Sequence, residues 1–471
     1  MALFTALNRR TVLAGLGLCA PAASALEAGA LAPQPAIVFA DHTPRLGSIA
    51  ERMQFYGCPG LSFALFDAST LRATTYGERS AGTPPAIDGR TAFQAASISK
   101  AVSAIGMMKL VAAGRIGLDD DVRTRLGGWT LRFAEGVPGQ PITLRQLLSH
   151  SAGINVESYP GFAPGETLPT LTEILDGAPI ARTPRVVVDT APGAYRYSGG
   201  GFELVEKLIE EISAMPFTDY MQRHVLAPAG MTCSSFQPVP SSQMSADLAS
   251  GHGWTGALRD TPYLVYPQHA AASLWSTPSD LARLFRALMT SAERRGGMFT
   301  QALARAMLTE QVPGTAMGLG LGAAGAGDAK IISHAGWTRG YRSYFAALPA
   351  RGEGIVVMTN GDRGNELAME IVRGAATLRH WPGLTPRPVE RAQWSDAEMS
   401  ERAGSYTFAD AGFSIDLRAM GDHFIATTPR GSAYTFYPTG PATMSAVEDG
   451  ADGVFSADGA LALWGMRATK L

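Results

Sequence analysis

Charge is scarce in this chain. Charged residues make up 17% of its 471 positions, and 39 Lys plus Arg against 41 Asp plus Glu leave a net charge of −2. A protein whose business is nucleic acid carries a basic footprint, and none is present. Cysteine is scarcer: three residues exclude a disulfide-built scaffold and a Cys-rich zinc site. The eight histidines are scattered, with no H-x-x-x-H pair to suggest a catalytic metal. Beyond the N-terminus no apolar run reaches the roughly 18 residues of a membrane span. Fixed-period repeats, heptads and low-complexity blocks are also missing. Apolar residues, at 46%, are plentiful enough for a large core and exclude disorder as the dominant state.

Asn8-Arg9-Arg10-Thr11-Val12-Leu13 sets two arginines before an apolar stretch that runs to about Ala20, and Ala23-Ser24-Ala25 is a small-residue cleavage signal. Residues 1–25 therefore read as a signal peptide. The arginine pair resembles a twin-arginine export signal, an ordinary secretory signal being the alternative. The expected location is periplasmic or secreted. Cys58 and Cys233 stay in the mature chain, either paired or buried singly as small hydrophobes.

The mature chain changes character along its length. An amphipathic helix is expected over 42–56, then short strands at 61–66 and 71–76 joined by Asp67-Ala68-Ser69. A long helical middle runs from about Ser97 to Met307, broken by Pro and Gly. Strand patterns return at 318–321, 330–334, 341–348 and 354–359, before a last helix over 363–378. Both ends thus supply strands to one mostly antiparallel sheet, and the inserted middle forms a helical lobe. Trp381-Pro382-Gly383 and Pro386-Arg387-Pro388 read as a stiff linker. Beyond it Phe413, Ile415 and Leu417 alternate with polar residues, and Asp-Gly or Gly-Asp turns recur at close spacing. A small antiparallel barrel or sandwich is expected there.

Three segments carry chemistry. Ser97-Ile98-Ser99-Lys100 opens a helix with apolar residues at Ile98, Ala101, Val102, Ile105, Met108 and Val111, so the helix should be largely buried. Ser97 and Lys100, three apart, share a face. A serine hydroxyl is a poor nucleophile without a base, and a lysine becomes one only where burial disfavours its charge. The same spacing also fits a serine N-cap followed by a surface lysine. Tyr195-Arg196-Tyr197-Ser198-Gly199-Gly200-Gly201 lies between an extended run and a helix. It can project the Tyr197 hydroxyl into a cleft as a base or proton shuttle, or leave it packed on the surface. Ile331-Ile332-Ser333-His334-Ala335-Gly336-Trp337 is a strand with a small residue where something must approach the backbone. Gly320-Leu321-Gly322-Ala323-Ala324-Gly325 fits G-x-G-x-x-G, but a strand follows it rather than a helix opening on a phosphate, so dinucleotide binding is rejected.

In that order the segments resemble the Ser-x-x-Lys, Tyr-x-(Asn or Gly) and (His or Lys)-x-Gly motifs of the serine β-lactamase and penicillin-binding protein superfamily. The run from Pro141 through Ser149-His150-Ser151-Ala152-Gly153 is similar to a segment of class C-like members, as are Gly117 to Val122 and Ser276 to Leu281. The resemblance implies an α/β (α+β) fold: an antiparallel sheet flanked by helices, with a helical lobe, over residues 26–380. A linker at 381–399 and a lipocalin-like all-β domain at 400–471 would follow. It implies an acyl-enzyme formed on Ser97, with Lys100 and Tyr197 managing protons and the backbone N–H groups of Ser97 and Trp337 forming an oxyanion hole. Gly199, His334, Gly336 and Arg339 would line the substrate site, and no cofactor or metal is implied. Gly199 departs from the pattern, because peptide- and β-lactam-handling members usually carry asparagine there to hold the substrate amide. The expected substrate is therefore a carboxylic ester or small amide. The alternatives are D-alanyl-D-alanine carboxypeptidase or β-lactamase action on a peptidoglycan-derived or related substrate, and a catalytically silent penicillin-binding-like protein. Arg342 is read as a surface ion-pair partner.

Overall fold

A computed structural model describes residues 31–293 and 297–471; the expected signal peptide lies outside the described residues. Seven strands form the central sheet: β1 (Gly60–Phe66), β2 (Leu71–Ser80), β3 (Thr83–Ala86), β4 (Gly322–Ala324), β5 (Ile331–Thr338), β6 (Tyr341–Leu348) and β7 (Glu353–Thr359). Their order is β3-β2-β1-β7-β6-β5-β4, antiparallel throughout. The chain ends meet at β1 and β7, where Phe63 stands opposite Val357 and Ala64 opposite Val356.

Alternation divides these strands between two cores. Leu61, Phe63, Leu65, Ile355 and Val357 pack with helix α1 (Ile49–Tyr56) and the helix Gly364–Arg379. Ala64, Phe66, Val356 and Met358 face the other way, toward helix α2 (Ile98–Ala112) and the lobe. Both faces are covered, so β1 is buried along its whole length. Helix α2 is buried on nearly every side. The lobe includes helix α3 (Gly199–Ser213) and helix α4 (Pro278–Glu293).

Two elements begin later than the sequence pattern suggests. Helix α1 starts at Ile49, because Ser48 and Glu51 form a capping box and Gly47 turns the chain just before it (φ +86°). Strand β4 covers 322–324 rather than 318–321; Gly320 sits at φ +79° against helix α2, where an added Cβ would strike Ala104. Cys58 and Cys233 are free thiols, the first buried.

The C-terminal domain is a closed barrel of eight strands, from Gly404–Phe408 to Met466–Lys470. Its interior is filled by Tyr406, Phe408, Ile415, Leu417, Phe424, Phe436 and Leu461, so the lumen is a packed core. Arg387–Val389, on the way to the barrel, pairs in parallel with Ile37–Phe39. The Arg373 guanidinium donates to the Glu448 and Gln34 carbonyls (2.8 and 3.0 Å), and the Tyr434 hydroxyl donates to Glu366 (2.9 Å). Among the described residues no helix is long and apolar enough to cross a membrane.

Candidate active site

Ser97 caps helix α2 without spending its hydroxyl on the cap. The residue before it, Ala96, is held at φ +51°, a left-handed conformation that costs an alanine about 1 kcal/mol. That turn leaves the Ser97 hydroxyl beside Lys100, whose Nζ lies 3.1 Å from Ser97 Oγ. Lys100 is only 2% exposed, which excludes the surface-lysine reading. Its Nζ also donates to the Ala271 carbonyl (2.9 Å) and stands 5.0 Å from the centre of the Tyr197 ring.

The Ala271 carbonyl is itself held in place. The short helix His269–Ala272 docks on α2 through a hydrogen bond from Ser103 Oγ to the Ala270 carbonyl (3.0 Å), and the Leu274 N–H donates to Ser99 Oγ (3.0 Å). Glu206, on α3, accepts from the Ala270 N–H (2.9 Å) and pairs with His269 Nδ1 (2.6 Å). Burial opposes a charge on His269, but the Glu206 carboxylate outweighs it and raises the imidazole pKa. Glu203, one turn earlier, is fully buried with neither carboxylate oxygen partnered by protein. Burial first, then Glu206, push its pKa well above the usual carboxylate range.

Tyr197 is fixed by its neighbours. The Ser198 N–H donates to His150 Nδ1 (3.1 Å), and Ser198 Oγ donates to the Asn155 carbonyl (2.7 Å). His150 packs against the Tyr197 ring with centres 4.4 Å apart. Burial first, then the charge of Lys100, hold the His150 pKa well below 6.5, so the ring is a neutral acceptor that ties the Tyr197 loop to the 149–153 segment. Gly199 and Gly200 are not loop residues but the first turn of α3, and their N–H groups donate to the Glu157 and Val156 carbonyls (3.2 and 2.9 Å). A Cβ on Gly199 would sit 2.7 Å from Tyr159 Cε2 and 3.0 Å from the Glu157 carbonyl oxygen. Tyr159 therefore occupies the space next to Gly199 that a larger side chain would need.

The third segment is strand β5. An added Cβ on Gly336 would overlap both the Ala95 carbonyl and Ser343 Oγ, and Ser343 Oγ donates to that carbonyl (2.9 Å). This close approach sets β5 beside the turn that carries Ser97. Thr338 and Tyr341 flank a two-residue turn, so the pair Trp337–Arg342 falls on the alternate, non-bonded rung. Strand β4 pairs only with 331–333, so the Trp337 N–H faces a free strand edge. The Trp337 ring is 68% exposed and lies 4.3 Å from the Arg342 guanidinium. Arg342 is buried and pairs with Asp362 (3.3 Å), which also accepts from the Gly340 N–H (2.9 Å). Arg339, at the hairpin tip, is exposed and has no carboxylate partner among the described residues. His334 Nδ1 donates to the Ala335 carbonyl (2.7 Å); burial, then the charge of Lys100, hold its pKa down to about 4.

These segments enclose an open cavity of about 750 Å³. Ser97, Lys100, Tyr197, His334, Trp337 and Arg339 all reach it; Gly336 and Gly199 act behind its wall. Tyr159, Tyr195 and Tyr266 add aromatic surface, and Glu157 adds a carboxylate. Tyr159, Glu203 and the Ala271 carbonyl carried no sequence signal, since each arrives from a segment with no motif of its own.

The family model Beta-lactamase matches residues 47–378. The chain belongs to the beta-lactamase family. Its relatives in that family include the D-alanyl-D-alanine-carboxypeptidase/endopeptidase AmpH of Escherichia coli (strain K12), 25% identical over 379 residues, 74% of this chain and 91% of that protein. PbpX of Bacillus subtilis (strain 168) is 26% identical over 236 residues, 49% of this chain and 53% of PbpX, so the chain spans about half of that relative. The structure of an octameric penicillin-binding protein homologue from Pyrococcus abyssi shares the fold, with a TM-score of 0.60 and 22% identity over 89% of this chain and 98% of that one.

Proposed function

We propose that this beta-lactamase family member is an exported serine hydrolase that cleaves a carboxylic ester or small amide through an acyl-enzyme on Ser97. The observation that carries the reading is Lys100 Nζ, buried 3.1 Å from an uncapped Ser97 hydroxyl at the foot of an open cavity. In the proposed reaction Lys100 acts in its neutral amine form: Ser97 Oγ bonds to the substrate carbonyl carbon while its proton passes to the Lys100 amine. The Ser97 and Trp337 N–H groups receive the negative charge that develops on the carbonyl oxygen. The bond to the leaving group then breaks, and Lys100 and Tyr197 return the proton to the departing alcohol or amine. Water attacks the acyl-serine by the reverse relay, releasing the carboxylic acid and restoring the hydroxyl. The Ala271 carbonyl orients Lys100 so that a lone pair can meet the serine. The preference for esters rests on Gly199: it has no side chain to read a substrate amide, and Tyr159 fills the space beside it.

Arg339 supports a second reading. A guanidinium that lines the cavity, without a carboxylate partner among the described residues, suits a substrate ending in carboxylate, as in a D-alanyl-D-alanine peptide. A panel of p-nitrophenyl esters, nitrocefin and D-alanyl-D-alanine peptides decides between them. Ester turnover well above the other two is expected, lost in Ser97→Ala. Efficient nitrocefin or peptide turnover with negligible esterase activity overturns the ester reading, and failure to label with a fluorophosphonate favours a silent binding protein. Export is tested by changing Arg9 and Arg10 together to Lys, which should retain the protein in the cytoplasm if the twin-arginine route is used.

A further inference from the structure

The barrel and the catalytic domain enclose a second cavity, of about 940 Å³, apart from the site around Ser97. The turns at 409–412, 428–432, 447–451 and 464–465 all connect strands at the same end of the barrel, and this end faces the loop that carries Trp254. The lumen below is packed solid, so the cavity is a mouth between two domains, a common setting for ligand sites.

Its walls are aromatic faces held by their polar edges. The Trp464 Nε1–H donates to Asp449 (3.0 Å), and the Tyr434 hydroxyl donates to Glu366 (2.9 Å). The two rings meet edge to face at 5.2 Å. Asp449 also accepts from the Ala451 N–H (2.9 Å), so both its oxygens are engaged by the protein. One charged side chain is left over among the described residues. The Arg430 guanidinium lies 5.1 Å from the centre of the Trp254 ring and has no carboxylate partner among the described residues. Flat rings and a guanidinium fork are complementary to a planar apolar body that ends in a carboxylate.

We propose that this barrel mouth is a second binding site, for a small aromatic carboxylate. Arg430 takes the carboxylate in bidentate fashion, and Trp254 and Trp464 sandwich the ring system. The test uses the full chain and naphthalene-2-carboxylate as probe, followed by tryptophan fluorescence and by calorimetry. Saturable binding is expected, weakened at least tenfold in Arg430→Gln and in Trp254→Ala and unchanged in Arg339→Gln, whose guanidinium faces the other cavity. The neutral naphthalene-2-carboxamide should bind at least tenfold more weakly than the carboxylate. Ester hydrolysis should be the same in Arg430→Gln as in the wild type, which separates this site from the one around Ser97. Probe binding that never saturates, that survives Arg430→Gln intact, or that is lost in Arg339→Gln overturns the proposal.

Discussion

The contact between Gly199 and Tyr159 makes a quantitative prediction. Gly199→Ala puts a methyl carbon 2.7 Å from Tyr159 Cε2, inside any real carbon–carbon contact, and 3.0 Å from the Glu157 carbonyl oxygen. The second contact can relax by a few tenths of an ångström, but the first needs the ring to move. Overpacking of this kind costs about 1–3 kcal/mol. Tyr159→Gly removes the ring, so in that background the same methyl should cost well under half as much. The four proteins of the cycle, compared by urea unfolding, should show a coupling of about 1–2 kcal/mol, within the range for touching residues. Gly199→Asn alone should lower all activities, because the new side chain finds Tyr159 in its place. Gly199→Asn with Tyr159→Gly frees the space for an amide-reading asparagine. Two net hydrogen bonds of about 1 kcal/mol each would raise kcat/KM for an amide relative to an ester by roughly ten- to thirtyfold. If Gly199→Ala costs the same with and without Tyr159, or Gly199→Asn alone shifts the ratio as far as the pair, Tyr159 does not set the substrate class.

Lys100→Ala and Tyr197→Phe should each reduce turnover by about 10²–10⁴-fold, the span of a positioned general acid or base, with little change in secondary structure by circular dichroism. Full activity in Tyr197→Phe would remove it from the proton relay. His334 is held down to about 4, so it stays neutral through the working range, and a pH–rate profile above pH 5 should look the same in His334→Gln once absolute rates are scaled. Because its proton binds the unfolded chain first, stability should fall as pH drops from 6.5 toward 4, and His334→Gln should flatten that fall. Glu448, at the barrel interface, is pushed up to about 7 by burial, against an ordinary 4.5. Its contribution is present at low pH and lost as pH rises through 7, so Glu448→Gln should unfold at higher urea than the wild type at pH 8, by up to about 3 kcal/mol, and no higher at pH 4.

What the sequence discloses about this molecule follows from how far apart its determinants lie. Ser97 and Lys100 are legible because helical geometry alone puts residues three apart on one face. Strands 61–66 and 341–348 are legible because they are apolar runs bounded by turn residues, and the barrel because alternating residues such as Phe413, Ile415 and Leu417 are followed by turn pairs at Gly421-Asp422, Asp449-Gly450 and Asp458-Gly459, although Asp452-Gly453, which reads as a turn, opens a strand. Helix α1 is overextended because polar–apolar periodicity continues through Pro44 and Gly47, and periodicity does not register a cap. Tyr159 is invisible for a different reason. Its importance is the position of one ring edge against a glycine 40 residues later, set by hydrogen bonds from Gly199 and Gly200 to carbonyls at 157 and 156. The Ala271 carbonyl that orients Lys100 arrives from 171 residues away, on a helix of four residues.

The same distinction explains the third segment. His-x-Gly is readable as a pattern, but what makes it a wall of the site is Asp362, outside any motif. Its carboxylate takes the Gly340 N–H and pairs with Arg342 and Arg259, which braces the hairpin that carries Trp337 at its base and Arg339 at its tip. The next residue, Arg363, donates to the Ala433 carbonyl of the barrel (3.3 Å). One turn of chain thus joins the β5–β6 hairpin beside Ser97 to the rim of the barrel. A barrel docked there adds restraint to the geometry of β5 without contributing an atom to the cavity around Ser97.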